Sequence, residues 1–132
     1  MIRALLKEIE GLGCAVTREG DMLKLHDPRL LTNMHRNRLK ESKVDILELL
    51  EQEVEARRKG WLVYPYREAY EMRVGKNNIV YIFAEANGTY IVWRGTWRHK
   101  AYPIKDKTII QGVSFAVAFE KANNYVRWFK NY

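Results

Sequence analysis

The chain of 132 residues has a single cysteine, Cys14, and only three prolines. One cysteine excludes an internal disulfide, so a reducing compartment is expected. No apolar run approaches the roughly 18 residues of a membrane-spanning helix. Acidic residues also follow Met1 too closely for a secretory signal peptide. We therefore expect a cytoplasmic protein without a membrane partner.

Aromatic residues are absent from the first 60 positions, and all 16 of them lie between Trp61 and Tyr132. The charge is divided in a similar way. Residues 1–59 carry 12 Lys and Arg against 11 Asp and Glu, whereas residues 60–132 carry 11 against 5. Nearly all of the net charge of +7 therefore belongs to the second part. Two compositions that meet at Gly60 predict two domains, residues 1–59 and 60–132.

Sequence patterns that carry catalysis or bind metals are also missing. His26, His35 and His99 are scattered, and one cysteine cannot form a ligand cluster. The chain has no Gly-Lys-Ser/Thr phosphate loop, no Gly-x-Ser-x-Gly elbow and no His-Glu-x-x-His motif. We expect no cofactor, no metal and no catalytic residue, hence a protein that is not an enzyme. The weakest alternative is a small nuclease built from Glu85, His99 and Asp106.

Helical and strand patterns alternate in the first domain. Apolar residues at helical spacing predict a first helix that ends at Gly11. Period-two alternation on both sides of a turn at residues 19–21 predicts a β-hairpin. A polar helix over residues 32–40 and a longer helix ending near Arg58 should follow. The apolar stripe of the last helix is assigned to Val44, Leu47, Leu50 and Val54, widened by Ile46 and Leu49.

Two segments of this domain resemble a known family. Residues 13–25, Gly-Cys-Ala-Val-Thr-Arg-Glu-Gly-Asp-Met-Leu-Lys-Leu, are similar to the hairpin of TubC-type N-terminal docking domains. Residues 43–50, Lys-Val-Asp-Ile-Leu-Glu-Leu-Leu, are similar to the end of the same domain. The resemblance covers roughly residues 1–52 and implies an αββαα fold. Such domains begin peptide- and polyketide-synthetase subunits, where they dimerise and bind a partner's C-terminal tail along an exposed hairpin strand.

The resemblance therefore implies a protein partner for this domain, and a homodimer is a further expectation. A two-stranded ribbon has free edges that can accept an added strand, and its basic residues could pair with an acidic tail. The candidate tail-binding residues are Val16, Arg18, Leu23, Lys24, Leu25 and His26. The alternative assigns Val16, Leu23 and Leu25 to the core or to dimer contacts, because so small a unit buries little surface.

The second domain has a strand-rich pattern followed by one helix. Alternation predicts strands over residues 68–74, 79–86 and 89–94, and Asn87-Gly88 is a strong hairpin signal. Gly95 is predicted to end a strand, residues 96–104 to form a fourth one, and residues 105–107 to form a loop. Ser114 should cap a helix that runs to the C-terminus. The predicted class is α+β, with an antiparallel meander of three to five strands covered by one helix.

One helix on one sheet leaves the other sheet face open, and basic residues alternate with aromatic residues in the strands. Cations neutralise phosphate and flat rings stack on bases, so this pattern is typical of nucleic-acid binding. The candidates are Arg73, Lys76, Arg94, Trp97, Arg98, Lys100 and Tyr102. Six aromatic residues are assigned to the core instead: Tyr81, Phe83, Trp93, Phe115, Phe119 and Phe129.

Together the two domains predict a non-catalytic adaptor or accessory protein. Its first domain would dock a protein, and its second would bind DNA, RNA or another macromolecule. Because Trp, Tyr and Arg also dominate protein interfaces, the alternative is a small inhibitor or accessory protein of a bacterial mobile element or phage. Such a protein would bind one protein target and no nucleic acid.

Overall fold

The computed structural model describes residues 2–97 and 105–131. The chain divides into two compact units, Met1–Glu55 and Ala56–Tyr132. The described residues form four α-helices and two antiparallel sheets, one of two strands and one of five, which confirms the predicted α+β class. In these two stretches of chain, every helix is too short or too polar to cross a lipid bilayer.

The first unit contains three helices and one hairpin. In chain order these are α1 (Ile2–Gly11), β1 (Ala15–Glu19), β2 (Met22–His26), α2 (Asn33–Glu41) and α3 (Lys43–Arg58), of which the last three residues belong to the second unit. The N-terminus of α2 is capped twice. The Thr32 hydroxyl accepts the backbone N–H of His35 at 3.3 Å, and Nδ1 of His35 accepts the backbone N–H of Thr32 at 3.0 Å. This reciprocal pair fixes where the second helix begins.

The core of the first unit is formed by its three helices together with β1 and the residue before it. Its nine buried residues are Leu5, Leu6, Ile9, Cys14, Val16, Leu39, Ile46, Leu49 and Leu50. The predicted stripe on α3 is wrong at both ends, because Val44 is 76% exposed and Val54 is 49% exposed. Apolar residues surround much of this helix, so their spacing alone did not show that its buried face is centred on Ile46 and Leu49.

The second unit is a five-stranded antiparallel meander followed by a helix. Its elements are β3 (Leu62–Val63), a 3-10 turn (Pro65–Arg67), β4 (Ala69–Arg73), β5 (Asn78–Ala84), β6 (Tyr90–Thr96), β7 (Lys105–Val113) and α4 (Phe115–Lys130). Each strand pairs with the next in sequence. Ser114 caps α4, as predicted, because its hydroxyl accepts the backbone N–H of Val117 at 3.3 Å.

Two predictions about the end of β6 are wrong. Gly95 does not end the strand, because it pairs with Ile79 on one side and with Asp106 on the other. Residues 105–107 begin β7 and do not form a loop. Their polarity is compatible with a strand because β7 lies at the sheet edge, where side chains meet solvent. The rest of the predicted fourth strand, residues 98–104, lies outside the described residues.

One face of this sheet packs against α4. Val80, Ile82 and Val92 lie side by side on that face and are fully buried, as are Ala118 and Ala122 of the helix. Small residues on α4 let the helix approach the sheet closely. Among the aromatic residues assigned to the core, Phe115 is buried in it, and Phe119 and Phe129 are partly buried and pack against this core.

The other three aromatic residues assigned to the core are on the opposite face and are partly exposed. Tyr81 and Trp93 are register partners, and Phe83 pairs with Ile91. They alternate with the buried residues of β5 and β6, so their side chains leave the sheet away from α4. The core prediction is therefore wrong for Tyr81, Phe83 and Trp93. Both faces of β5 are apolar, and the sequence does not say which one receives the helix.

Gly95 is required by the rings above it. A Cβ at this position would lie 2.6 Å from two ring carbons of Trp97 and 2.9 Å from the ring of Trp93. We expect Gly95→Ala to destabilise the second unit by about 1–3 kcal/mol, because the rings must move. Urea unfolding followed by tryptophan fluorescence measures this.

Gly95→Ala in a Trp97→Ala background shows how much of the lost stability comes from the contact between the new Cβ and the Trp97 ring. Removing the closest ring should recover part of the stability lost at Gly95. Equal losses in both backgrounds would show that Trp97 does not lie over this glycine.

Candidate nucleic-acid interface

Two adjoining cavities lie where the C-terminal part of α4 meets β5, β6 and β7. Their volumes are about 430 and 590 Å³, and both are lined by Asn78, Arg94 and Phe129. We call the combined recess the basic groove. Its four cationic residues are Lys76, Arg94, Lys105 and Lys107. Among the described residues that line it, none is acidic.

The register of the last two strands brings three of these charges to one side. Arg94 pairs with Lys107, and Thr96 pairs with Lys105, so their side chains leave the sheet on the face that carries α4. Asp106, between the two lysines, faces the other way. Lys76 reaches the groove from the turn between β4 and β5, where its carbonyl accepts a 3.5 Å hydrogen bond from Arg73. Pairing across the sheet therefore concentrates positive charge that is dispersed in the sequence.

The helix supplies an aromatic wall for the same groove. Tyr125 and Trp128 are three residues apart on α4, and their ring centroids are 5.7 Å apart. The guanidinium of Arg94 lies 5.9 Å from the centroid of Tyr125, within cation–π distance. Trp128 is 53% exposed, which is unusual for a residue with so much apolar surface. The groove thus offers cations and an accessible indole within one recess.

This combination has a clear chemical use. Lysine and arginine neutralise phosphate oxygens and release bound counterions, whereas an aromatic ring stacks on a base. A groove without a carboxylate on its described walls has nothing that repels a polyanion. The surface is therefore suited to a ligand that carries both phosphates and flat rings.

The seven predicted nucleic-acid residues are not all in one place. Lys76 and Arg94 line the basic groove. Arg73 and Trp97 lie on the open face of the sheet, and Arg98, Lys100 and Tyr102 lie outside the described residues.

Sequence reasoning missed Lys105, Lys107, Tyr125 and Trp128. The alternation Lys-Asp-Lys and the helical spacing of the two aromatic residues were signals that could have revealed them. Because residues 105–107 were assigned to a loop, this alternation was not interpreted as one face of a strand.

The open face of the sheet carries a second feature, which we call the aromatic surface. It consists of Tyr64, Tyr81, Phe83, Trp93 and Trp97. The rings of Tyr81 and Phe83 stack with centroids 5.1 Å apart, and Trp97 contacts Tyr81 and Trp93 edge to face. The rings pack mainly against one another, and this face is separated from the basic groove by the thickness of the sheet.

A hydrogen bond at the border of the aromatic surface perturbs two tyrosines. The Tyr64 hydroxyl donates to the carboxylate of Glu71 at 2.6 Å, and this bond raises the pKa of Tyr64 far above its usual range. Burial, followed by the charge of Glu71, raises the pKa of Tyr81. In both cases the folded protein favours the neutral phenol.

Alkaline titration tests this arrangement. Because folding raises the pKa of Tyr64, its stabilising contribution is complete below pH about 10, the value of an unfolded tyrosine, and decreases above it. Tyrosinate absorbance should therefore show that Tyr64 ionises well above the pH of about 10 at which an unfolded tyrosine ionises. Glu71→Gln should lower the pKa of Tyr64, whereas the control Glu85→Gln should not. An unchanged titration in Glu71→Gln would rule out the hydrogen bond as the cause.

The first unit has a recess of its own, with a cavity volume of about 380 Å³. Its apolar residues are Met22, Leu23, Leu25 and Leu39, and its cationic residues are Arg36, Lys40 and Lys43. We call this recess the docking groove. It runs between β2 of the hairpin and α2. An apolar floor with positive charges at its rim suits a segment that carries both apolar and acidic side chains.

Only two of the six predicted tail-binding residues line the docking groove, Leu23 and Leu25. Val16 is only 4% exposed and belongs to the core. Arg18 pairs with Glu51 and also donates to the carbonyl of Gly20 at 2.8 Å.

The remaining two predicted residues lie on the other face of the hairpin. Lys24 is paired in register with Thr17, and its ammonium group lies 3.6 Å from the carboxylate of Glu19. His26 Nε2 and the hydroxyl of Thr17 form a 2.8 Å hydrogen bond. Neither side chain therefore belongs to the docking groove.

The structure does not assemble the carboxylates of the nuclease alternative. Glu85 bonds to Thr89 beside the first residue of β6, whereas Asp106 pairs with Gly95 near its end. Five strand residues separate the two positions, a distance of roughly 17 Å. His99 lies outside the described residues, and within the described residues no three His, Cys, Asp or Glu side chains could hold a metal ion. Burial raises the pKa of the Cys14 thiol, which disfavours a nucleophilic thiolate.

Comparison with known proteins gives no relative for this chain. No protein-family model matches it, and no match is found among curated proteins or solved structures. The resemblance of residues 1–52 to TubC-type docking domains therefore stays a prediction.

Proposed function

We propose that the protein is a non-catalytic adaptor in which the second unit binds nucleic acid and the first unit docks a protein. The basic groove carries the first half of this proposal. Four cations and a half-exposed tryptophan converge there, without an acidic residue on the described walls. Three of the cations come from neighbouring strands that the fold brings into register. This is how a site for a polyanion is built.

Salt dependence tests nucleic-acid binding directly. Fluorescence anisotropy with labelled DNA and RNA should show binding at low salt that weakens steeply as salt is added. Plotted against the logarithm of the salt concentration, the logarithm of the association constant should have a slope of roughly −2 to −4. This is the slope expected for three to four neutralised phosphates. No binding at low salt, or binding that is insensitive to salt, would contradict the proposal.

The docking groove supports the second half of the proposal. The first unit has the element order α1, β1, β2, α2, α3, which is the order that an αββαα docking domain requires. We propose that its ligand is an acidic peptide with apolar side chains, because the floor of the groove is apolar and Arg36, Lys40 and Lys43 border it. An extended peptide beside β2 could also add a strand to the two-stranded sheet.

A pair of peptides of equal apolar content tests the docking groove. A peptide that alternates Asp with Leu should bind at least tenfold more tightly than one that alternates Lys with Leu. Lys40→Glu combined with Lys43→Glu should remove this preference, because two of the three positive charges that border the groove are reversed. The control is Lys24→Glu, on the opposite face of the hairpin. Equal affinity of the native protein for both peptides would contradict the proposed ligand.

A second candidate function is a protein inhibitor or accessory factor without a nucleic-acid partner. The aromatic surface favours it, because Trp and Tyr are enriched among residues that dominate protein interfaces. Trp97→Ala and Lys107→Glu separate the two candidates. Loss of nucleic-acid binding in Lys107→Glu alone supports the adaptor, whereas the second candidate requires a protein complex that only Trp97→Ala weakens.

A further inference from the structure

We infer that the basic groove takes an unpaired single strand in preference to a duplex, an inference that rests on the proposed nucleic-acid binding. Three features of the groove support it: its shape, its aromatic wall and the spacing of its cations. All three belong to described residues of the second unit.

The groove is a recess, with α4 on one side and the ends of β5, β6 and β7 on the other. Its two cavities share Asn78, Arg94 and Phe129 as lining residues, so they lie side by side along the groove. A duplex is usually bound by a helix or a ribbon that projects into its grooves. The described walls of this groove form a recess and carry the cations, so they suit a single chain that enters the recess better than a duplex that surrounds a projecting element.

The aromatic wall favours unpaired bases. Within a duplex both faces of each base pair are covered by the neighbouring pairs, so a ring of the protein cannot stack on them without unstacking the helix. Tyr125 and Trp128 would then contribute little. In a single strand the bases can turn toward the protein and stack on such rings. The 53% exposure of Trp128, beside Arg94 and Tyr125, is the arrangement that stacking requires.

The spacing of the cations fits a polymer. Lys105 and Lys107 are two residues apart on one strand, hence about 6.6 Å apart on the same side. Arg94 lies opposite Lys107, and Lys76 adjoins the cavity that Lys105 lines. Several separate phosphates can therefore be contacted in sequence along the groove. A mononucleotide would leave most of these charges unused.

The test compares ligands that differ in base pairing. The intact chain is titrated at low salt with labelled oligonucleotides of about 12 nucleotides, a typical site size for such proteins. The ligands are single-stranded DNA, single-stranded RNA and the blunt duplex of the same sequence, with inorganic polyphosphate as a competitor that has charge but no bases. We expect at least one of the two single strands to bind roughly tenfold more tightly than the duplex. That strand should also stay bound when polyphosphate is added as a competitor.

Substitutions then locate the stacking site. Trp128→Ala should weaken single-strand binding about tenfold and leave duplex binding unchanged, whereas Trp128→Phe should retain most of the affinity. Thermal unfolding checks that each variant is folded. The matched control is Trp97→Ala, which removes a tryptophan from the other face of the sheet.

Three outcomes would overturn the inference. Duplex binding that equals or exceeds single-strand binding would reject it while nucleic-acid binding itself stands. If Trp97→Ala rather than Trp128→Ala lowers the affinity for the single strand, the strand binds at the aromatic surface and not in the basic groove. If no nucleic acid binds at low salt, the proposed function fails together with the inference.

Discussion

Lys105→Glu combined with Lys107→Glu should lower nucleic-acid affinity by roughly 100-fold at low salt. Both side chains line the basic groove and lie on the same side of β7. Each reversal removes one phosphate contact and adds a charge that repels the strand. Because the described walls hold no acidic residue, the new carboxylates would be the first on these walls.

The salt dependence distinguishes lost contacts from a general change of charge. The slope of the logarithm of the association constant against the logarithm of the salt concentration should become shallower. Because two phosphate contacts are removed, its magnitude should fall by roughly 1.5 to 2. A control with the same net charge is Lys24→Glu combined with Lys59→Glu, two exposed lysines outside the lining of the groove. This control should keep most of the affinity and the original slope. If both double variants lose affinity equally, net charge rather than the groove controls binding.

Ile82→Ala should be the most destabilising single substitution of those considered, by about 2–5 kcal/mol. Ile82 is fully buried at the centre of the sheet, between Tyr70 on β4 and Val92 on β6. Both neighbours are themselves fully buried, so the space left by the missing carbons cannot be filled from solvent. A unit of this size has a total stability of about 4–12 kcal/mol, so a large part of it should be lost.

Urea unfolding measured by tryptophan fluorescence reports on this unit alone, because all four tryptophans follow Gly60. The matched control is Ile79→Ala, the same substitution on the same strand. Ile79 lies on the open face and is partly exposed, so the loss there should be about 1 kcal/mol. Similar losses at the two positions would show that the helix does not cover the face that carries Ile82.

Much of the second unit could be predicted from local sequence. Asn87-Gly88 gave the hairpin between β5 and β6, and Ser114 gave the start of α4. Both signals are local: a turn that needs positive φ and a hydroxyl that accepts a backbone N–H. Gly95 was misinterpreted because its role is not local. A glycine inside a strand usually weakens the strand. Gly95 is needed here because the ring of Trp97 occupies the space that a Cβ would take.

The candidate sites could be predicted only in part. Leu23 and Leu25, which were predicted to bind a tail, line the recess beside the hairpin, and Lys76 and Arg94, which were predicted to bind nucleic acid, line the basic groove. Their binding roles stay predictions. The alternative that assigns Val16 to the core is confirmed by its 4% exposure. Period-two alternation alone left both assignments open, because it marks two faces without saying which is covered.

By itself the sequence determined the α+β fold class of the protein and the difference in composition between its two halves. The α+β pattern follows from spacing along the chain, and the concentration of aromatic residues and charge after Gly60 follows from composition. The tertiary structure decided which faces are covered. Helix α4 packs over Ile82 and leaves Tyr81 partly exposed on the opposite face, and strand pairing brings Lys107 to Arg94. Such contacts join residues that are distant in the chain, so no local pattern specifies them.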